Sequence, residues 1–114
     1  MSDVISILNA PHYSWGQNCD GWKLLESDNL SVIQECMPEG TAEKKHYHRH
    51  AQQVFYVLTG TAVFEMDRQQ YIMQVGECMH VPPGMPHSIA NPYADDLQFL
   101  LISHPQAQGD RVEV

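Results

Sequence analysis

The sequence predicts a single all-β domain, a sandwich or barrel built from short strands. Three observations carry that expectation. Short apolar runs recur along the 114-residue chain and are separated by turn residues at roughly the 8–12 residue spacing of all-β folds. No segment holds a helical period over a useful length; the one helical candidate, 41–45, is short and runs into residues that read as strand. The composition, 43% hydrophobic and 18% charged, is that of an ordinary globule able to bury one core without disulfide staples.

The expected strands, in order, are WKLL (22–25), LSVIQECM (30–37), QVFYVL (53–58), TAVFEM (61–66), YIMQV (71–75), HSIA (87–90) and LQFLLIS (97–103). Between them stand Pro-Glu-Gly at 38–40, Thr-Gly at 59–60, Asp-Arg-Gln-Gln at 67–70, Gly-Glu at 76–77, Pro-Pro-Gly-Met-Pro at 82–86 and Asn-Pro at 91–92, all turn formers. The last strand is apolar on both sides, with Leu97, Phe99 and Leu101 on one face and Leu100 and Ile102 on the other. One face lines the core. The other is expected to pack on a second sheet or a partner subunit, which makes a homodimer the expected assembly. The chain is expected to divide into an N-terminal segment over a barrel edge (1–28), the barrel (29–104) and a polar C-terminal tail (105–114).

Composition also limits the partners. A formal net charge of −8 argues against nucleic acid and anionic membranes. Lys44, Lys45 and Arg49 nevertheless cluster around a group of histidines, where they are either a solvated strand end or a basic rim that attracts a small anion. Cys19, Cys36 and Cys78 are odd in number and widely spaced, so neither a disulfide framework nor a thiolate zinc site is expected. The opening MSDVISILNAPHYSW shows no basic leader or long apolar run, and no stretch is long enough to span a bilayer as a helix. The expected compartment is the cytoplasm.

The chemistry concentrates in HYHRHAQQVF, residues 46–55. His46 and His48 share one strand face by the two-residue period, and neutral imidazoles suit zinc, copper, iron and nickel. Gln53 has the opposite parity, so it can return to the same interior only if residues 49–52 form a bend. His50 falls inside that bend and ranks below the other two, as a rim group. Far along the chain, the rigid Pro-Pro-Gly-Met-Pro turn delivers His87 at the start of a new strand.

These residues carry a family resemblance. The chain resembles the cupins, whose first motif reads G-x5-H-x-H-x3,4-E-x6-G. Gly40, His46, His48, Gln53 and Gly60 match every spacing, with glutamine where the family has glutamate. The second motif, G-x5-P-x-G-x2-H-x3-N, is matched throughout by Gly76, Pro82, Gly84, His87 and Asn91. The two motifs cover nearly half the chain. The resemblance implies a single-domain jelly-roll β-barrel of two packed antiparallel sheets. It further implies one divalent transition metal (Zn, Ni, Mn or Fe) held by His46, His48 and His87. Gln53 then either bonds the ion or orients a bound water. A neutral amide leaves the ion's charge uncompensated, which weakens affinity, strengthens Lewis acidity and disfavours a trivalent state.

Gly40, Gly60, Gly76, Pro82, Gly84 and Asn91 otherwise read as turn devices. Tyr56, Phe64, Met66, Met73, Met79 and Met85 read as core or pocket wall; Cys78 and His80 read as packing, and His104 with the tail as surface. Two functions compete at this level. One is a metal-dependent enzyme of oxygenase, isomerase or cyclase type acting on a small oxygen-rich or aromatic compound. The other is a binding module that holds a sugar or small anion without turnover. Fold alone does not choose between them.

Overall fold

The computed structural model describes residues 4–107 and 109–114, and among them there is no helix. The strands are β1 (His12–Trp15), β2 (Cys19–Glu26), β3 (Ser31–Met37), β4 (Thr41–Ala42), β5 (His46–His48) and β6 (Gln52–Thr59). They continue with β7 (Ala62–Met66), β8 (Gln69–Met73), β9 (Cys78–Val81), β10 (His87–Asn91), β11 (Leu97–His104) and β12 (Arg111–Glu113). The first sheet has the order β1-β2-β3-β11-β6-β9 and the second β12-β5-β10-β7-β8, with β4 also paired to β10. Every pairing is antiparallel. From β5 onward the chain repeatedly crosses between the two sheets, which is how a jelly roll closes its core.

The strands expected from the sequence all form, within three residues at their ends. Five more appear beyond those runs: β1, the short β4, β9, β12, and β5, on which the shared face of His46 and His48 depended. Residues 41–45 contain no helix, since Thr41 and Ala42 pair with Asn91 and Ala90. Residues 111–113, read as part of a polar tail, add a strand beside β5, with Arg111 opposite His48 and Glu113 opposite His46. A short charged strand suits that position, because β12 is a sheet edge.

Side-chain alternation sorts the interior into an apolar and a polar end. The inward row of β6 runs Gln53, Phe55, Val57, and the inward row of β11 runs Ser103, Leu101, Phe99, in register beside it. On β10 the inward residues are His87, Ile89 and Asn91. Phe55, Phe64 and Phe99 meet at the centre, with ring centroids 4.9 Å apart for Phe55 and Phe64 and 5.7 Å for Phe55 and Phe99. Met37, Val57, Ile89 and Leu97 complete the apolar end. Burying each such side chain stabilises the fold by about 1.5–3 kcal/mol. Tyr56, by contrast, faces outward and is 39% exposed, because its parity on β6 is opposite to that of Phe55.

Asn91 closes the β10 end. Its amide nitrogen donates to the carbonyls of Met37 (2.8 Å) and Asp95 (2.9 Å), and its Oδ1 accepts from the Tyr93 N–H (3.0 Å). This fully buried side chain ties three segments together, which is more than the turn role expected of it.

Candidate metal centre

At the polar end, strand register places three imidazoles together. His46 of β5 stands directly opposite His87 of β10, and His48 lies two residues along the same face of β5. The ring centroids are 4.5 Å apart for His46 and His87, 5.0 Å for His46 and His48, and 6.0 Å for His48 and His87. One nitrogen from each ring lies within 4.8 Å of the others. Below them, His87 stacks on Phe64 at 5.9 Å with the planes 9° apart, and its ring stands 5.6 Å from that of Phe55. The cluster therefore sits on the apolar core as its floor.

Backbone carbonyls fix the tautomer of two rings. His46 Nδ1 lies 2.8 Å from the Lys44 carbonyl and His87 Nδ1 lies 2.9 Å from the Met85 carbonyl. A carbonyl only accepts, so both Nδ1 atoms carry the proton and both Nε2 atoms present a lone pair. Burial, reinforced by the neighbouring imidazoles, lowers the pKa of His46 to about 3 and of His48 to about 4, and burial lowers that of His87 as well. All three rings are neutral near pH 7, the form a metal needs.

Gln53 reaches the same place from the other sheet. Arg49 and His50 form a bend, and the chain crosses there from β5 to β6. The Asp110 carboxylate holds this bend by accepting from the N–H groups of His50 (2.9 Å) and Ala51 (3.0 Å). Gln53 is 2% exposed and its Nε2 donates to Ser103 Oγ at 3.0 Å, which leaves Oε1 turned away from that bond. Four buried side-chain atoms lack a hydrogen-bond partner among the described residues: Gln53 Oε1, His48 Nδ1, His87 Nε2 and Glu43 Oε1. Orphaned buried acceptors are costly. Three of these four belong to the metal-ligand set that the sequence resemblance implied, so the residues present fit a divalent ion.

The surrounding cavity has a volume of about 530 Å³. His46, His48 and Gln53 line it, and so do Tyr13, Lys23, Glu35, Glu43, Ser103 and Arg111. The sequence had given none of these last six a role, because they come from β1, β2, β3, β11, β12 and the segment after β4. Of the two readings of the basic cluster, the structure fits the solvated strand end, with Lys44 and Arg49 exposed. Lys23 and Arg111 line this cavity, whereas Lys44, Lys45 and Arg49 do not. His50 is exposed, in keeping with a rim position, while Cys78 and His80 face solvent and His80 pairs with Gln52 Oε1 at 2.9 Å.

Two carboxyls are buried in this wall. Burial pushes Glu35 up to about 7, against the Tyr13 hydrogen bond and Arg111, which both favour its charged form. Burial and the nearby Glu35 push Glu43 up to about 8. Glu43 lies 3.9 Å from His46 Nδ1. With the imidazole neutral and the carboxyl holding its proton, that approach is a polar contact and not an ion pair.

Residues 33–103 match the family model for the cupin domain, more than half of the chain. The chain is a cupin. It is 25% identical over 84 residues to an uncharacterized protein of Methanocaldococcus jannaschii, a match covering 74% of this cupin and 67% of that protein. It is 29% identical over 66 residues to an oxalate-binding protein of Thermotoga maritima, covering 58% of this chain and 54% of that one. In structure it resembles a T. maritima protein described as a predicted oxalate decarboxylase, with TM-score 0.84, 19% identity, and coverage of 91% and 100% of the two chains. That last likeness establishes the fold alone.

Proposed function

We propose that this cupin binds one divalent transition metal through His46, His48, His87 and Gln53, and uses it to hold a small, oxygen-rich carboxylate anion. One observation carries the reading: three neutral imidazoles bring nitrogens within 4.8 Å of one another, and His48, His87 and the Gln53 amide each hold a buried atom with no hydrogen-bond partner among the described residues. Such a donor set brings no negative charge of its own, so an anionic ligand is the natural complement. A divalent ion held there supplies Lewis acidity, drawing electron density from a carboxylate or enolate oxygen. The protein's own residues do the rest. Phe55 on the cavity wall and Phe64 stacked on His87 floor the site, Lys23 and Arg111 add positive charge to the wall, and Ser103 holds the Gln53 amide through its nitrogen.

Sequence similarity to an oxalate-binding protein favours oxalate as the probe. It also supports a second reading, in which the cavity binds its anion without turnover and Lys23 and Arg111 matter more than the metal. Isothermal titration calorimetry with oxalate separates the two, on zinc-loaded protein, metal-stripped protein and His46→Ala. Oxalate binding that vanishes on stripping and in His46→Ala supports the metal centre. Binding unchanged by a chelator supports the metal-free module. A purified chain that takes up no stoichiometric metal after loading with zinc, nickel, manganese and iron sinks the first reading.

A further inference from the structure

Tyr13, Gly21 and Glu35 lie on one line across the first sheet, Tyr13 paired with Gly21 and Gly21 paired with Glu35. Adjacent strands stand about 4.8 Å apart, so a bond between the outer two residues must cross the whole middle strand. Any side chain at position 21 blocks that path, since a Cβ there would overlap the Tyr13 ring. Gly21 thus leaves a notch in which the ring lies flat, and the Tyr13 hydroxyl reaches Glu35 Oε2.

Both ends of this bond line the cavity that holds His46 and His48. A simple latch for the edge strand β1 would need no ionisable partner, and burying a carboxyl is costly. Glu35 is nevertheless 7% exposed and forms no ion pair among the described residues. Its placement on a polar cavity wall suits a group that changes charge with the cavity's contents.

We propose that Tyr13 and Glu35 form a proton-holding pair, in which Glu35 takes up a proton from solvent when a carboxylate anion enters the cavity and returns it when the anion leaves. The inference rests on the anion-binding reading above. Only the Glu35 O–H bond forms or breaks, and water carries the proton. In the charged state the Tyr13 O–H donates to the carboxylate; in the neutral state the hydroxyl oxygen accepts from the carboxyl. The other charged or titratable groups on this cavity are Lys23 and Glu26 from β2, Glu43 after β4, His46 and His48 from β5, and Arg111 from β12. An arriving anion adds negative charge beside Glu35 and favours its neutral form. By linkage, a raised proton affinity in the complex means anion binding that strengthens as pH falls toward 7.

The test is ¹³C NMR of glutamate-labelled protein across pH, with Glu35→Gln identifying the Glu35 resonance. Without ligand, Glu35 is expected to titrate near 7. Tyr13→Phe removes the bond that favours the charged form, so its midpoint rises; Gly21→Ala displaces the ring and raises it as well. If Gly21→Ala fails to fold, Tyr13→Phe alone decides this arm. Adding oxalate to zinc-loaded protein is expected to raise the Glu35 midpoint above that of zinc-loaded protein without oxalate. A Glu35 midpoint in the ordinary glutamate range, or one that Tyr13→Phe leaves in place, overturns the pair as a purely structural latch. A midpoint unmoved by oxalate while calorimetry shows oxalate bound overturns the coupling alone. If calorimetry shows no oxalate bound, the anion reading and its coupling fall together, and the ligand-free titration still judges the pair separately.

Discussion

Replacing Gln53 by glutamate restores the carboxylate that the family motif carries, and the structure gives opposite expectations for the metal-free and metal-bound protein. Gln53 is 2% exposed, and its one hydrogen bond is the donation to Ser103 Oγ at 3.0 Å. A carboxylate there can accept from the Ser103 hydroxyl, yet it stays buried in a wall whose two resident carboxyls are already pushed up to about 7 and about 8. Without metal the new carboxyl therefore keeps its proton at pH 7. Holding a proton from the ordinary glutamate pKa of about 4.3 up to pH 7 costs about 1.4 kcal/mol per pH unit, or about 4 kcal/mol in total. The sign follows from a raised folded pKa: the penalty is absent below about pH 4 and grows as pH rises. At about 4 °C per kcal/mol, metal-free Gln53→Glu melts roughly 15 °C below wild type at pH 7 and close to wild type at pH 4. Zinc reverses the order, because the ionised carboxylate offsets part of the ion's charge, and the variant binds zinc at least about tenfold more tightly. Thermal melts followed by circular dichroism at the two pH values, with and without zinc, check the first half. Competition against a chromophoric chelator checks the second. Zinc affinity unchanged or weakened in the variant would refute the placement of Gln53 at the ion, and a metal-free melt independent of pH would refute the burial argument.

Three further outcomes follow from packing. His87→Ala removes a fully buried ring stacked on Phe64, so it is expected to cost about 2–4 kcal/mol in urea denaturation and to abolish stoichiometric zinc in metal analysis. Asn91→Ala strands the Met37 and Asp95 carbonyls and the Tyr93 N–H, and is expected to cost about 2–4 kcal/mol by the same measurement with zinc stoichiometry retained. Gly60→Ala is expected to cost more than Gly76→Ala. Both glycines have positive φ, +79° and +85°, which costs a side chain roughly 1–2 kcal/mol, but only at position 60 would a Cβ stand 2.5 Å from the Asp96 carbonyl oxygen. Equal urea midpoints for the two variants would show that the Asp96 segment yields at no cost.

Local chemistry in the sequence was sufficient for much of this molecule. The two-residue period put Leu97, Phe99 and Leu101 on one face, turn residues marked where strands end, and the spacing of two motifs singled out His46, His48 and His87. Parity within one strand, however, speaks only of that strand. Gln53 has the wrong parity to follow His46 and His48 on a continuous strand. It shares a cavity with them because the chain changes sheets at Arg49 and His50, under the Asp110 carboxylate. The expected bend was correct, while the facing of two sheets across it is a property of the closed barrel.

The residues that escaped notice share one cause. Tyr13, Glu35, Glu43 and Arg111 are unremarkable in their own segments, since each gains its role from the neighbours that folding sets beside it. Arg111 stands opposite His48 only because β12 pairs with β5, and Tyr13 touches Glu35 only across the vacancy at Gly21. The sequence by itself determined an all-β domain and the three imidazoles that face one interior. The tertiary structure decided which neutral and acidic groups surround them, because side-chain alternation fixes direction along a strand while only closure of the two sheets fixes what stands on the other side.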